Sequence, residues 1–155
     1  HHEDAPDLLG ELGHARDLVA REEVADGFAD PDGRRNGRRI PCVVSGEEDG
    51  AADAERLVSF LQDWPRAKPM LIHCWAGISR STAASYIALC MLRPQAAEVD
   101  LAWELRDASP SATPNRLIVS LADRLLGRDG RMLRAIDAIG RGAEAFEGTP
   151  FVLKP

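Results

Sequence analysis

A cysteine and an arginine six positions apart are the residues of this chain best suited to chemistry. Cys74 and Arg80 lie in the segment HCWAGISRS, which runs from His73 to Ser81. A cysteine thiolate is a strong nucleophile, and the planar guanidinium of arginine matches two oxygens of a phosphate group. The pair therefore predicts nucleophilic chemistry on a phosphate ester.

The flanking residues predict a phosphate-binding loop between a strand and a helix. Pro69–His73 (PMLIH) is an apolar run of strand length, and a helix is expected from Ser81 to Leu92. Gly77 allows a positive φ and a close approach to a ligand. In such a turn successive N–H groups and the helix N-terminus surround an anion, with Cys74 at the base and its thiol pKa lowered. Attack by this thiolate on a bound phosphoryl group gives a cysteinyl-phosphate intermediate.

The segment resembles the HCxxGxxR[ST] loop of the cysteine-dependent protein tyrosine phosphatases. Its form HCxAGxSRS is similar to that of the dual-specificity phosphatases and of the small bacterial predicted tyrosine phosphatases, over about residues 40–126. The resemblance implies that Cys74 is the nucleophile, that Arg80 clamps the phosphate and the transition state, and that Ser81 stabilises the thiolate. The backbone amides that would hold the phosphate belong to Trp75, Ala76, Gly77, Ile78, Ser79 and Arg80.

Two further residues acquire supporting roles from the same resemblance. His73 is expected to tune the loop, and its structural alternative is a histidine that only bonds backbone groups. Thr113-Pro114-Asn115 resembles the Pro-Asn start of a helix in the family, whose Asn braces the phosphate loop. Judged without the resemblance, Asn115 is a helix cap.

The general acid is the point at which this sequence departs from the family. The family's Asp would fall near Val44–Ser45, where no carboxylate stands. Asp49 in the turn GEEDG is the nearest substitute, and Glu47, Glu48 and Asp53 are its rivals. Because a general acid contributes about 10²–10⁴-fold, a phosphate-binding pseudophosphatase without an efficient acid is an alternative function. A rhodanese-like sulfurtransferase, which also holds a cysteine in an anion loop, is another.

The remaining pattern predicts an α/β domain with a small central sheet flanked by helices. The predicted strands are Ile40–Ser45 and Pro69–His73, and the N-terminal part of the sheet is expected to be reduced, because the family's earlier strands are not recognisable before residue 40. The apolar tail Phe151–Leu153 is expected to pack on the body. Helical spacing predicts five helices, Ala51–Trp64, Ser81–Leu92, Ala96–Ala108, Asn115–Leu126 and Arg131–Ile139.

The chain divides into two parts of different composition. Residues 1–39 are predicted to form an amphipathic helix, Asp7–Ala25, followed by a flexible Gly- and Arg-rich loop, and residues 40–155 to form the phosphatase-like catalytic domain. Three cysteines without CxxC spacing fit a reducing compartment. Cys90 is expected in the core. Cys42 is either a core residue as well or a thiol that traps oxidised Cys74 as a disulfide.

Composition narrows the range of partners. The 155 residues include 19 basic and 25 acidic side chains, for a formal net charge of −6, which disfavours a nucleic-acid binder. No apolar run approaches the roughly 18 residues of a membrane span, and no secretory pattern is recognised, so we expect a cytoplasmic protein. The expected substrate is a phosphorylated protein or a small phosphate ester, with no cofactor and no metal.

Overall fold

The computed structural model describes residues 50–67 and 69–154, and the backbone of residues 18–20. Within these ranges the chain forms five helices and three short strands. The helices are α1 (Gly50–Asp63), α2 (Arg80–Leu92), α3 (Glu98–Ala108), α4 (Arg116–Leu125) and α5 (Arg131–Ile139). The strands are β1 (Leu18–Ala20), β2 (Met70–Ile72) and β3 (Phe151–Leu153).

The three strands have three residues each, and β1 lies between the other two. It is parallel to β2, with Val19 opposite Leu71, and antiparallel to β3, with Val19 opposite Val152. Strands this short bury too few side chains to organise a core. The described fold is mainly helical, and the prediction of an α/β fold with a central sheet flanked by helices is therefore wrong.

Strand β1 also corrects the prediction for the N-terminal part. Leu18–Ala20 lies within the predicted helix Asp7–Ala25, yet these three residues form a strand. A short apolar run fits a buried strand as well as one face of a helix, and here pairing with β2 and β3 decides between them. The rest of that predicted helix and the predicted strand Ile40–Ser45 lie outside the described residues.

The five helix predictions are confirmed to within two residues at each end. The α5 prediction, Arg131–Ile139, agrees at both ends, and α1 ends just before Pro65. Asn115 caps α4, since its side chain accepts a hydrogen bond of 3.1 Å from the backbone N–H of Ile118. None of the helices in the described ranges is long and apolar enough to cross a membrane.

The hydrophobic core surrounds α2, which packs against α1, α3 and α4. Its side chains Tyr86, Ile87 and Leu89 are fully buried, and burial of an Ile or Leu side chain contributes about 1.5–3 kcal/mol. The Tyr86 hydroxyl donates a 3.0 Å hydrogen bond to the Glu98 carbonyl in the first turn of α3. This packing holds α2 rigidly, and the loop that precedes α2 is thereby anchored at one end.

Candidate functional site

The segment between β2 and α2, residues 74–80, is the Cys74 loop. It follows a short strand and ends in the first residue of a well-packed helix, as predicted. Gly77 has a φ of 68°, a left-handed conformation that glycine adopts without steric cost. Ser79 is the N-cap residue of α2 and makes no side-chain capping bond. The N-terminal N–H groups of α2 are thus available at the end of the loop.

Cys74 and Ser81 face each other across the base of this loop. The Cys74 Sγ lies 3.2 Å from the Ser81 Oγ, and Ser81 is fully buried in the first turn of α2. Burial raises the pKa of the Cys74 thiol. The Ser81 hydroxyl, the amides of Ser81 and Gly77 and the Arg80 charge lower it by more, so that the pKa lies below its ordinary value. The thiolate that a nucleophile requires is therefore favoured.

Three carbonyl groups of the loop region are tied to amides elsewhere in the chain. The Ala76 carbonyl accepts from the Gly148 N–H at 2.8 Å, that of Ile78 from Thr113 at 2.9 Å, and that of Ser79 from Asn115 at 3.2 Å. These donors come from two segments, one that leads into α4 and one that leads into β3. The loop is consequently held from outside by backbone groups that are distant in sequence.

These bonds also orient the loop's own amides. In a planar trans peptide the carbonyl and the following N–H point in opposite directions. With the three carbonyls facing their donors, the N–H groups of Gly77, Ser79 and Arg80 face the other way. The Gly77 amide is one of the groups that lower the Cys74 pKa, so the sulfur lies on this side of the loop. Amides converging on one side of a loop form a site for an anion.

Arg80 adds a full positive charge to this face. Its side chain is half-buried, and its charge contributes to lowering the Cys74 pKa. Within the described ranges Arg80 forms no ion pair with a carboxylate, unlike Arg93 at the other end of α2, which is paired with Glu104. The guanidinium can therefore take a phosphate without first releasing a partner.

Other residues predicted for the site have less direct contacts. Trp75 is 82% exposed, as expected for a loop residue that faces outward. His73 is exposed and forms no hydrogen bond with the described residues, so its supporting role stays a prediction. Asn115 uses its side chain to cap α4 and its backbone N–H to hold the Ser79 carbonyl. The brace on the loop is thus made by its backbone.

The predicted general acid, Asp49, lies outside the described residues, and so do its rivals Glu47 and Glu48. The fourth candidate, Asp53, is 1% exposed and accepts a hydrogen bond from Arg56. Its other carboxylate oxygen has no hydrogen-bond partner among the residues described. Asp53 is therefore a buried group of α1, held within its own helix.

Helix α1, which carries Asp53, packs against α4. The first turns of α1 border a cavity of about 250 Å³ together with the C-terminal half of α4, lined by Ala51, Glu55, Leu121, Arg124 and Leu125. The loop instead contacts the start of α4, at Asn115. Among the described residues Asp53 forms no hydrogen bond with the loop, and its role as general acid stays a prediction.

Sequence reasoning missed Gly148, whose amide holds the Ala76 carbonyl. A Cβ atom at this position would lie 2.7 Å from the Gly77 carbonyl oxygen, closer than real side chains approach. The only signal in the sequence is a Gly-Thr-Pro turn before the apolar tail. That signal predicts a turn and does not indicate which loop the turn contacts.

Of the two remaining cysteines, the structure describes only Cys90. Cys90 is fully buried in α2, which confirms the core prediction, and burial raises its thiol pKa to about 12. Cys42 lies outside the described residues, and the disulfide hypothesis stays a prediction. Among the residues that the structure describes, no group of three or more His, Cys, Asp or Glu side chains is arranged to hold a metal ion.

The arrangement as a whole combines a thiol of lowered pKa, a hydroxyl beside it, the amides of Gly77 and Ser81, and a guanidinium that has no ion pair within the described ranges. These groups can bind a tetrahedral oxyanion and present a nucleophile to its central atom. The resemblance to the phosphatases rests on the loop residues and on Thr113-Pro114-Asn115. The chain matches no family model, no curated protein and no solved structure.

Proposed function

We propose that this protein is a cysteine-dependent phosphomonoester hydrolase of the tyrosine or dual-specificity phosphatase kind. The observation that carries the proposal is the 3.2 Å separation of the Cys74 Sγ and the Ser81 Oγ, beside Arg80 and in a loop whose carbonyls at Ala76, Ile78 and Ser79 are held from outside. A structural cysteine has no need of these neighbours. Cys90, by comparison, is buried and has a raised pKa.

The reaction follows from the placement of these groups. The loop amides and the Arg80 guanidinium bind the phosphate oxygens and balance the negative charge that develops on them. The Cys74 thiolate attacks phosphorus, the P–O bond to the leaving group breaks, and the leaving oxygen takes a proton. Water then attacks the cysteinyl phosphate, the S–P bond breaks, and Ser81 donates a hydrogen bond to the departing thiolate.

The proposed substrate is a phosphorylated protein or a small phosphate ester in the cytoplasm. The net charge of −6 favours such a substrate over a nucleic acid. Asp49 is the proposed proton donor. The phosphate-binding pseudophosphatase remains as the second candidate, because the described rival Asp53 is buried and engaged by Arg56.

A substrate panel separates these functions. We expect hydrolysis of p-nitrophenyl phosphate and of a phosphotyrosine peptide, with no turnover of thiosulfate. Phosphate binding without hydrolysis of either ester would indicate the pseudophosphatase. Thiosulfate turnover with cyanide as sulfur acceptor would indicate the sulfurtransferase. The proposal fails if the folded protein neither binds phosphate nor hydrolyses p-nitrophenyl phosphate.

The proton donor is tested by the dependence on leaving group. We expect Asp49→Asn to lower turnover of phenyl phosphate about 10²-fold or more, and that of p-nitrophenyl phosphate much less, because a basic leaving oxygen needs the proton. Asp63→Asn, at the other end of α1, is the control. Equal losses on both esters would remove Asp49 from the mechanism.

A further inference from the structure

Residues 140–148, which connect α5 to β3, form a segment that we name the strap. Its last residue, Gly148, donates its N–H to the Ala76 carbonyl at 2.8 Å. A Cβ atom at position 148 would lie 2.7 Å from the Gly77 carbonyl oxygen and 3.1 Å from the Gly77 carbonyl carbon. The contact is therefore made backbone to backbone, at a distance that only glycine permits.

This contact acts on the peptide unit that joins Ala76 to Gly77. With the Ala76 carbonyl held by Gly148, the Gly77 N–H of the same peptide unit points to the opposite side. On that side the Gly77 amide lies near Cys74 and contributes to lowering its pKa. Rotation of this one peptide would replace a donor with a carbonyl oxygen next to the sulfur, and repulsion from a thiolate would follow. Gly148 thus controls the polarity of the loop where the nucleophile lies.

The strap is fixed at its other end by Arg106 in the last turn of α3. The guanidinium donates to four carbonyl groups, those of Ala112 (2.9 Å), Ile139 (3.0 Å), Gly140 (2.7 Å) and Arg141 (3.4 Å). Two of these belong to the strap, and one precedes Thr113, which holds the Ile78 carbonyl. Arg106 therefore joins the two segments that hold the loop from outside.

Two further bonds link the same segments to each other. The Gly142 N–H donates to the Thr113 hydroxyl at 3.1 Å, and the Ala143 N–H donates to the Pro110 carbonyl at 2.9 Å. The strap is consequently tied along its length to the residues that precede α4. A displacement of the strap would be transmitted to the Cys74 loop at Gly148 and, through Thr113, at Ile78.

We propose that the strap sets the orientation of the Cys74 loop and that Gly148 is a positioning residue, acting on the nucleophile through the Gly77 amide. The consequence for catalysis rests on the proposed function. The direct consequence concerns the chemistry of the Cys74 thiol and is measurable without turnover.

The variant Gly148→Ala tests the contact, with Phe146→Ala as its matched control. Phe146 lies two residues earlier in the strap and is 97% exposed. Alkylation of Cys74 by iodoacetamide is followed against pH by mass spectrometry of the Cys74 peptide. In Gly148→Ala we expect the midpoint to rise by about one pH unit and the Kd for inorganic phosphate to rise about tenfold, as for one lost hydrogen bond to a charged group. In Phe146→Ala both should stay within about twofold of wild type.

A second measurement on the unmodified protein keeps the proposal testable if Gly148→Ala does not fold. Amide hydrogen exchange should find the Gly148 N–H protected and the N–H of the preceding exposed residue, Glu147, unprotected. Equal exchange at these two amides would overturn the proposal that the strap orients the loop. An unchanged alkylation midpoint in folded Gly148→Ala would overturn it as well. If Cys74 in the wild-type protein has an ordinary thiol pKa and the protein does not bind phosphate, the proposed function fails instead. The exchange measurement then still tests the contact between the strap and the loop.

Discussion

Cys74 and Cys90 lie at opposite ends of α2 and have opposite thiol chemistry. Cys74 precedes the N-terminus of the helix, and its pKa is lowered because four donors and charges outweigh its burial. Cys90 lies in the last turn, fully buried, and burial raises its pKa to about 12 although the nearby Tyr86 hydroxyl and Arg128 charge act to lower it. The two thiols flanking this helix therefore have pKa values shifted in opposite directions.

The comparison shows which neighbours make a cysteine reactive. Burial acts in the same direction on both thiols, since it disfavours the charged form. Only Cys74 has converging amides and a helix N-terminus, where the helix dipole is positive. Near the C-terminal end the dipole has the opposite sign. Position relative to the helix, with the donors that come with it, thus distinguishes the two sites.

The largest expected effect separates the two cysteines by their role in turnover. Cys74→Ser should lower p-nitrophenyl phosphate hydrolysis by more than about 10³-fold, because the hydroxyl is not ionised at neutral pH, while phosphate binding persists through the amides and Arg80. Cys90→Ala should retain turnover within about threefold. Steady-state kinetics and phosphate titration of both variants check this. Turnover by Cys74→Ser above about one per cent of wild type would contradict the role of nucleophile.

The arginines at the two ends of α2, Arg80 and Arg93, are expected to differ in the same way as the two cysteines. Arg80→Lys should reduce kcat/KM about 10²-fold, since a point ammonium does not reproduce the bidentate fork on two phosphate oxygens. Arg93→Lys, at the other end of the helix, is the control and should stay near wild type. Near-normal kinetics in Arg80→Lys would show that the guanidinium does not clamp the phosphate.

Two serines of α2, Ser81 and Ser85, test which hydroxyl group lowers the Cys74 pKa, with a smaller expected effect. Ser81→Ala should raise the midpoint of Cys74 alkylation by about one pH unit, because the thiolate loses its hydroxyl donor. Ser85, one turn later, is buried and its hydroxyl has no hydrogen-bond partner within the described part of the chain. Ser85→Ala should leave the midpoint unchanged. A common shift in both variants would mean that the effect is one of helix packing.

The smallest effect concerns the stability that Cys90 contributes. Cys90→Ala should lower the free energy of unfolding by about 1 kcal/mol at neutral pH, through lost packing. The folded pKa of about 12 exceeds the ordinary value of 9.0, so the contribution of the neutral thiol is full below pH 9 and is lost as pH rises toward 12. Urea unfolding at pH 7 and at pH 10 should thus show a smaller deficit for the variant at pH 10. An equal deficit at both values would contradict the raised pKa.

Local sequence was sufficient for the helices and for the order of groups in the Cys74 loop. Helical spacing located all five helices, and Thr113-Pro114-Asn115 marked the start of α4, because caps and periodicity act over a few residues. The contact between Cys74 and Ser81 was also predictable, because the two residues are only seven positions apart and the loop between them turns back on itself. These features depend on contacts that are near in sequence.

The features that were missed depend on contacts between distant residues. Leu18–Ala20 forms a strand because β2 and β3 flank it, about 50 and 130 residues later. The α/β prediction carried the family's sheet over to a chain whose described strands have only three residues each. Gly148 was missed because a lone glycine in a turn does not indicate its partner. The position of Asp53 likewise depends on how α1 packs on α4.

The central claim is that the Cys74 thiolate attacks phosphorus. Its most direct test is rapid acid quenching of the wild-type protein during turnover of p-nitrophenyl phosphate, followed by mass spectrometry of the cysteine peptides. We expect a phosphoryl group on Cys74, absent from Cys90 and from the Cys74→Ser protein. If the active wild-type enzyme carries the phosphoryl group on another residue when it is quenched, Cys74 is not the nucleophile.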